Sequence, residues 1–183
     1  MALNSDNVRV AVTGAVYTLP IDVEGPDGAS GTVVGGVDLG YVGDGGVTET
    51  RDRSSEKIKA WQHGATVREV VTEGSFTLSF VLLETKRENI ELYYGGTVEA
   101  DGSIVINPSS TGGRRQFVVD VIDDDDFIRT YIKSGQVTEV GDQVYANGEA
   151  IGYEVTVTAY DSNFDGRTGA AKKWYSSLAE AAA

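Results

Sequence analysis

The most regular stretch of the chain alternates between apolar and hydroxylated positions. In "SFTLSFVLLE" (75–84), Phe76, Leu78, Phe80 and Leu82 share one parity, and Ser75, Thr77 and Ser79 share the other. A two-residue period sends successive side chains to opposite faces of a strand, so one face is core and the other small and polar. The same period returns near the end, where Ile151, Tyr153, Val155, Val157 and Ala159 alternate with Glu154, Thr156 and Thr158. Elsewhere "VRVAVTGAVYTLP" (8–20) is an opening strand and "VDLGYV" (37–42) a short one. "KIKAWQ", then "HG", then "ATVREVV" predicts a hairpin turning at His63-Gly64. "TVEADGSIVI" turns at Asp101-Gly102, a dipeptide suited to two-residue hairpins. "RQFVVDVI" and "FIRTYIK" are strands flanking the run Asp123–Asp126. One segment departs from this period. In "ETKRENIELYYGG" Ile90, Tyr93 and Tyr94 fall at helical spacing, Thr85 and Glu88 form a capping-box pattern, and Gly95-Gly96 supplies the stop. The pattern predicts a mainly β fold with one α-helix over about 85–94.

Two polar stretches interrupt the strands. "IDVEGPDGASGTVVGG" (21–36) and "GDGGVTETRDRSSEK" (43–57) read as long loops, and loops of that length in a small domain are usually functional or disordered. Residues 1–7 read as an N-terminal arm and 161–183 as a C-terminal extension with a helix around Lys172–Leu178. The 183 residues fit a single domain able to bury a real core.

Composition narrows the chemistry. Cys is absent, which excludes disulfides, thiolate metal sites and a cysteine nucleophile. No apolar run approaches the roughly 20 residues of a membrane span, and "MALNSDNVRV" lacks the regions of a signal peptide, so the expectation is a soluble protein made in the cytoplasm, with no membrane partner. The net charge of −13 is uneven: residues 1–50 carry seven acidic and one basic side chain, 51–95 seven of each, and 96–183 fourteen acidic and seven basic. An acidic chain grips nucleic acid poorly, because phosphate neutralisation by Lys and Arg dominates that affinity.

His63, the only histidine, sits at a turn and has no companion residues that would mark a triad or a zinc site. Asp123–Asp126 lacks the alternating spacing and distant Glu of a calcium loop, so it reads as a hairpin tip in preference to a metal site. "GDGG" and "TGGRR" lack the phosphate-loop signature and read as turns. Nothing singles out a carboxylate pair for glycoside hydrolysis. Trp61, Tyr93 and Tyr94 could form a sugar-stacking platform, although core or interface is the commoner use of such aromatics.

The pieces "DLGYV…DGGVTET", "KAWQ", "VVTEGSFTLSFVLLET" and "ELYYG", in that order, resemble the major tail tube proteins of long-tailed, siphovirus-type bacteriophages. The likeness extends to "NVRVAVTGAVYTLP" upstream and "GEAIGYEVTVTAYDS" downstream. The resemblance implies two packed antiparallel sheets, sandwich- or barrel-like, with one flanking α-helix and long inter-subunit loops and terminal arms. It implies a structural virion protein without enzyme activity or cofactor, forming hexameric rings stacked into a tube that delivers DNA. A tape measure protein and tail tip and terminator proteins are the implied partners. The implied location is the phage tail, with the host cytoplasm during assembly. The stacking loop implied is 43–57, carried by Asp44, Arg51, Asp52, Arg53, Ser54, Ser55, Glu56 and Lys57. DNA would pass through the lumen without specific binding. Ser75, Thr77 and Ser79, or Glu154, Thr156 and Thr158, are lumen candidates, since hydroxyls offer neither a cation for phosphate nor a ring for stacking. A carbohydrate- or calcium-binding β-sandwich, and a tail-completion or secretion-system tube homologue, are the alternatives.

Overall fold

The computed structural model describes residues 3–179; residues 1–2 of the expected N-terminal arm and 180–183 of the expected C-terminal extension lie outside the described residues. In chain order the elements are β1 (Thr13–Leu19), β2 (Val37–Asp38), β3 (Val42–Lys59), β4 (Thr66–Leu82), α1 (Arg87–Tyr94), β5 (Arg115–Asp123), β6 (Asp126–Val140), β7 (Tyr153–Ala159), β8 (Ser162–Phe164), β9 (Arg167–Gly169) and β10 (Lys172–Tyr175). Hydrogen bonding links the strands in the order β2-β1-β5-β6-β7-β4-β3, with β10 added on β6; β8 and β9 form a separate hairpin.

β6 is the seam of the molecule. Its residues 128–131 pair with β10, and its residues 135–140 pair with β7. At the changeover stands Gly135, where a Cβ would lie 2.8 Å from the Phe117 ring, and a bulge follows between Val137 and Glu139. Both features bend a strand and let two halves of a sheet face each other. One core fills the space between the halves: Val16, Phe117, Val119 and Ile132 from one, Leu78, Phe80, Leu82, Val155 and Val157 from the other. The expected packed antiparallel sheets are present, and they are not closed into a barrel. Lys173 of β10 reaches Glu49 of β3 across the seam (2.6 Å).

The helix is present but starts later than the capping-box pattern suggests. Lys86 is its N-cap, without a side-chain cap; the Thr85 hydroxyl lies 2.9 Å from the Tyr153 hydroxyl instead. A tertiary partner has taken the side chain that would cap the first turn. Gly95, at φ +63, ends the helix as expected. Buried Asn89 donates to the Leu39 and Glu84 carbonyls, pinning α1 to the sheet margin.

Two expectations are corrected. Residues 43–57 are not a loop: they form most of β3, paired antiparallel with β4. Lys172–Leu178 is not a helix: Lys172–Tyr175 pairs with β6, and only Ser176–Leu178 makes a short 3-10 turn. Pairing with an open stretch of β6 overrides the local spacing.

The half-sheet β1-β5-β6 is buried on both sides. Segment 20–36 and β8–β10 cover its outer face, packing Val33, Val23, Phe164 and Trp174 against Leu19, Val118 and Tyr131. Consequently Gln116 through Asp120 are buried without alternation. Polar side chains hold the covering segment. Gln116 Nε2 donates to the carbonyls of Pro20 (2.7 Å) and Val23 (2.5 Å), and the Tyr131 hydroxyl donates to Gln116 Oε1. A Cβ at Gly25 would collide with the Tyr131 ring. Gly25→Ala is therefore expected to destabilise the fold by about 1–3 kcal/mol, as overpacking does, and to expose 20–36 to protease. Denaturant unfolding with limited proteolysis checks this, and unchanged values would show that the ring moves aside freely.

Candidate functional site

The half-sheet β6-β7-β4-β3 keeps one open face. Side chains opposite each other in a ladder share a face, so the register builds rows across the strands. One row runs Thr48, Ser79, Thr156, Glu139 and the next Thr50, Thr77, Thr158, Gln136. Ser75 and Asp52 continue it on one side, and Glu154, opposite Val81, on the other. The hydroxyls bond among themselves: Ser79 Oγ is 2.9 Å from Thr156 Oγ1, and Thr138 Oγ1 is 2.7 Å from Thr158 Oγ1. Among the described residues no Lys or Arg is paired into these rows. Both sets of sequence-expected polar residues, Ser75, Thr77 and Ser79 with Glu154, Thr156 and Thr158, thus fall on one continuous face of hydroxyls and carboxylates.

Beyond this face β3 and β4 leave the body together. From Arg51 opposite Phe76 to Lys59 opposite Thr66 they form a two-stranded ribbon about 30 Å long, turning at His63 (φ +58) and Gly64 (φ +65) as the sequence predicts. Both strands are exposed throughout residues 51–59 and 66–75. Ile58, Val67, Val70 and Val71 show apolar surface, and Trp61 at the tip is 96% exposed. A two-stranded ribbon without a covered face is marginal in water, and this arm has both faces open in the single chain. Asp44 lies apart, beside Gly45 and Gly46 (φ +65) in an irregularity between the Val42 and Val47 pairs.

The phage tail tube protein family model matches residues 1–182. The chain belongs to the phage tail tube protein family. Two solved assemblies contain chains similar to it: the anti-feeding prophage (AFP) baseplate, 6-fold symmetrised (9% identity, 94% of this chain and 97% of that chain, TM-score 0.45), and the virion of the native gene transfer agent (GTA) particle (9% identity, 88% and 96%, TM-score 0.43). No curated protein matches the sequence. The protein is a structural tail tube subunit and a component of the virion, and it assembles with other copies and other tail components.

In this tail tube subunit the four aspartates are the hairpin tip between β5 and β6. Asp123 pairs with Asp126, and the turn is Asp124-Asp125, with Asp124 at φ +51. The outer two work as fasteners for both chain ends, a role the sequence reading missed. Val10 N–H donates to Asp123 Oδ2 (3.0 Å), and Arg9 pairs with Asp126 (2.8 Å). Ser176 Oγ donates to Asp126 Oδ1 (3.1 Å) and accepts the Phe127 N–H (2.7 Å). The second missed feature is the Asp120–Arg129 pair beneath segment 20–36, two-pronged at 2.6 and 2.7 Å. Counting outward from the tip would have found it, since 120 and 129 are ladder partners. Among the described residues no cluster of three or more His, Asp or Glu is placed to hold a metal ion, and no helix is long and apolar enough to cross a membrane. Tyr93 and Tyr94 pack edge-on with each other at the end of α1, while Trp61 lies at the far end of the arm, so the three aromatics of the sugar-platform idea do not meet.

Proposed function

We propose that this subunit forms hexameric rings, stacked into the hollow tube of a long phage tail, with the face of Thr48, Thr50, Ser75, Thr77, Ser79, Thr156 and Thr158 lining the channel. The observation that carries the reading is the hydroxyl-and-carboxylate face itself: an open sheet surface with, among the described residues, no Lys or Arg paired into its rows. DNA sliding along such a wall meets hydrated hydroxyls and like charge, so it neither condenses on cations nor stacks on rings. The other half-sheet offers no comparable surface because its second face is occupied by residues 20–36 and β8–β10. The projecting β3–β4 arm, with Arg51, Asp52, Arg53, Ser54, Ser55, Glu56 and Lys57, is the element that crosses to a neighbouring subunit or ring. In this reading the protein needs no cofactor and performs no catalysis. It assembles in the host cytoplasm, around a tape measure protein and between tip and terminator proteins.

Electron microscopy of purified particles tests the reading. Rings of six copies, with Ser79 and Thr156 on the channel wall, are expected; a wall lined mainly by Arg and Lys would overturn the low-adhesion channel. Ser79→Arg is expected to permit assembly while slowing DNA ejection about tenfold at low salt, with the defect shrinking as salt screens the added cations. Ejection unaffected at every ionic strength would place this face on the tube exterior.

A further inference from the structure

The two faces of the β3–β4 arm carry opposite charge. Alternation along β3 puts Arg51, Arg53, Ser55, Lys57 and Lys59 on one face, and Asp52, Ser54, Glu56 and Ile58 on the other. The register assigns β4 accordingly: Phe76, Gly74, Val71, Glu69 and Thr66 stand opposite the first set, Ser75, Glu73, Val70 and Arg68 opposite the second. The two bulges skip Thr72 and Val67 on β4, so the alternation of β3 runs unbroken. One face therefore holds four cations against a single carboxylate, Glu69, which accepts the Ser55 hydroxyl (2.5 Å). The opposite face holds three carboxylates against Arg68. Among the described residues, none of Arg51, Arg53, Lys57 and Lys59 makes an ion pair.

We infer that the basic face of the arm receives the acidic body of a second copy of this chain. The inference rests on the tube reading and adds which surface of the arm meets the neighbour, and through what chemistry. Segment 51–75 has five basic and four acidic side chains, which leaves the rest of the chain at −14; what a second copy presents to the arm is acidic on average. Direction separates protein from DNA as the partner. The basic face continues the parity of Val47, Phe76, Leu78 and Phe80, the core side of the sheet, whereas the acidic face continues the hydroxyl rows. With the hydroxyl rows toward the channel, the four cations look away from DNA and into the tube wall. Cations placed there are held by carboxylates of the neighbour, and the apolar Val71 and Phe76 between them lend area to the same contact.

The test compares tube assembly by sedimentation and microscopy for wild type, the charge-reversed Arg51→Glu/Arg53→Glu/Lys57→Glu/Lys59→Glu variant, its milder all-Gln counterpart, and an acidic-face control, Asp52→Asn/Glu56→Gln/Glu73→Gln. The reversed variant is expected to melt like wild type yet need at least about tenfold more protein to assemble, the Gln variant to fall between, and the acidic-face variant to be less impaired than the Gln variant. Wild-type assembly is expected to weaken about tenfold as salt rises from about 0.05 to 0.5 M. The inference is overturned if the reversed and Gln variants assemble at the wild-type concentration, or if the acidic-face control is the more impaired. It is overturned equally if wild type retards duplex DNA and the reversed variant loses that binding while still building tubes. In those cases the tube reading stands, because wild type still assembles; absence of the protein from purified particles would remove that reading as well.

Discussion

Replacing residues 54–73 by Asn-Gly is expected to leave a folded subunit that no longer builds tubes. Arg53 and Gly74 are ladder partners, so a two-residue turn can close the hairpin between them without changing the register below. Everything removed except the half-buried Ala60 is exposed in the single chain, including Trp61, Ile58, Val67, Val70 and Val71. The core residues Leu78, Phe80 and Leu82 and the β4–β7 ladder, which begins at Thr77, remain. Thermal stability should therefore stay within about 1 kcal/mol of wild type, the range of surface changes, while assembly falls below detection. Melting curves check the first half and negative-stain microscopy the second. Normal tubes from the shortened chain would show that the arm is dispensable for assembly. Collapse of the fold would show instead that the arm stabilises the body.

The second large effect lies in the buried ion pair. Asp120 and Arg129 are 8% and 3% exposed, on a half-sheet covered on both sides. Arg129 also donates to the carbonyls of Gly28 (3.4 Å), Ser30 (3.3 Å) and Gly31 (2.7 Å), so the guanidinium ties segment 20–36 to the sheet. Asp120→Ala strands that cation in the interior and is expected to cost about 3–5 kcal/mol, a large share of the roughly 5–15 kcal/mol that holds a domain together. Urea unfolding measures the loss, and a cost under about 1 kcal/mol would mean that water reaches the site. Asp120→Leu/Arg129→Met should recover more than half of it, since no unpaired charge remains and only the loop carbonyls lose donors. The hydrogen bond from Arg129 to Asp120 raises the Arg129 pKa above its ordinary value. A raised value in the folded state favours folding at pH below the ordinary Arg range, so on the Arg side this contribution is complete across working pH and disappears only in strong alkali.

Local pattern was enough for much of this molecule, and the reason is one-sided burial. Phe76, Leu78, Phe80 and Leu82, and Tyr153, Val155, Val157 and Ala159, alternate because their strands have one core face and one open face. The helix stop at Gly95, the turn at His63-Gly64 and the hairpin tip at Asp124-Asp125 follow from residues that accept left-handed or tight backbone, wherever the chain goes next. The resemblance that marks a tail tube subunit is likewise carried by ordered stretches of sequence, and the family match spans them.

Tertiary structure decided the rest, where pairing and not burial makes the strand. Residues 43–57 look like a loop because a ribbon exposed on both faces has no apolar alternation; only the ladder to β4 shows them as strand. Lys172–Tyr175 is a strand because β6 has an unpaired stretch beside it, and nothing in those four residues announces that vacancy. β5 is buried without alternation from Gln116 to Asp120 because segment 20–36 folds back over it, held by Gln116 and Arg129 from a distance of some hundred residues in sequence. Likewise, Ser79 meets Thr156 and Thr77 meets Thr158 because β4 and β7 are neighbours. Sequence order separates those strands by a helix and the β5–β6 hairpin, so strand order alone turns two short polar stripes into one face.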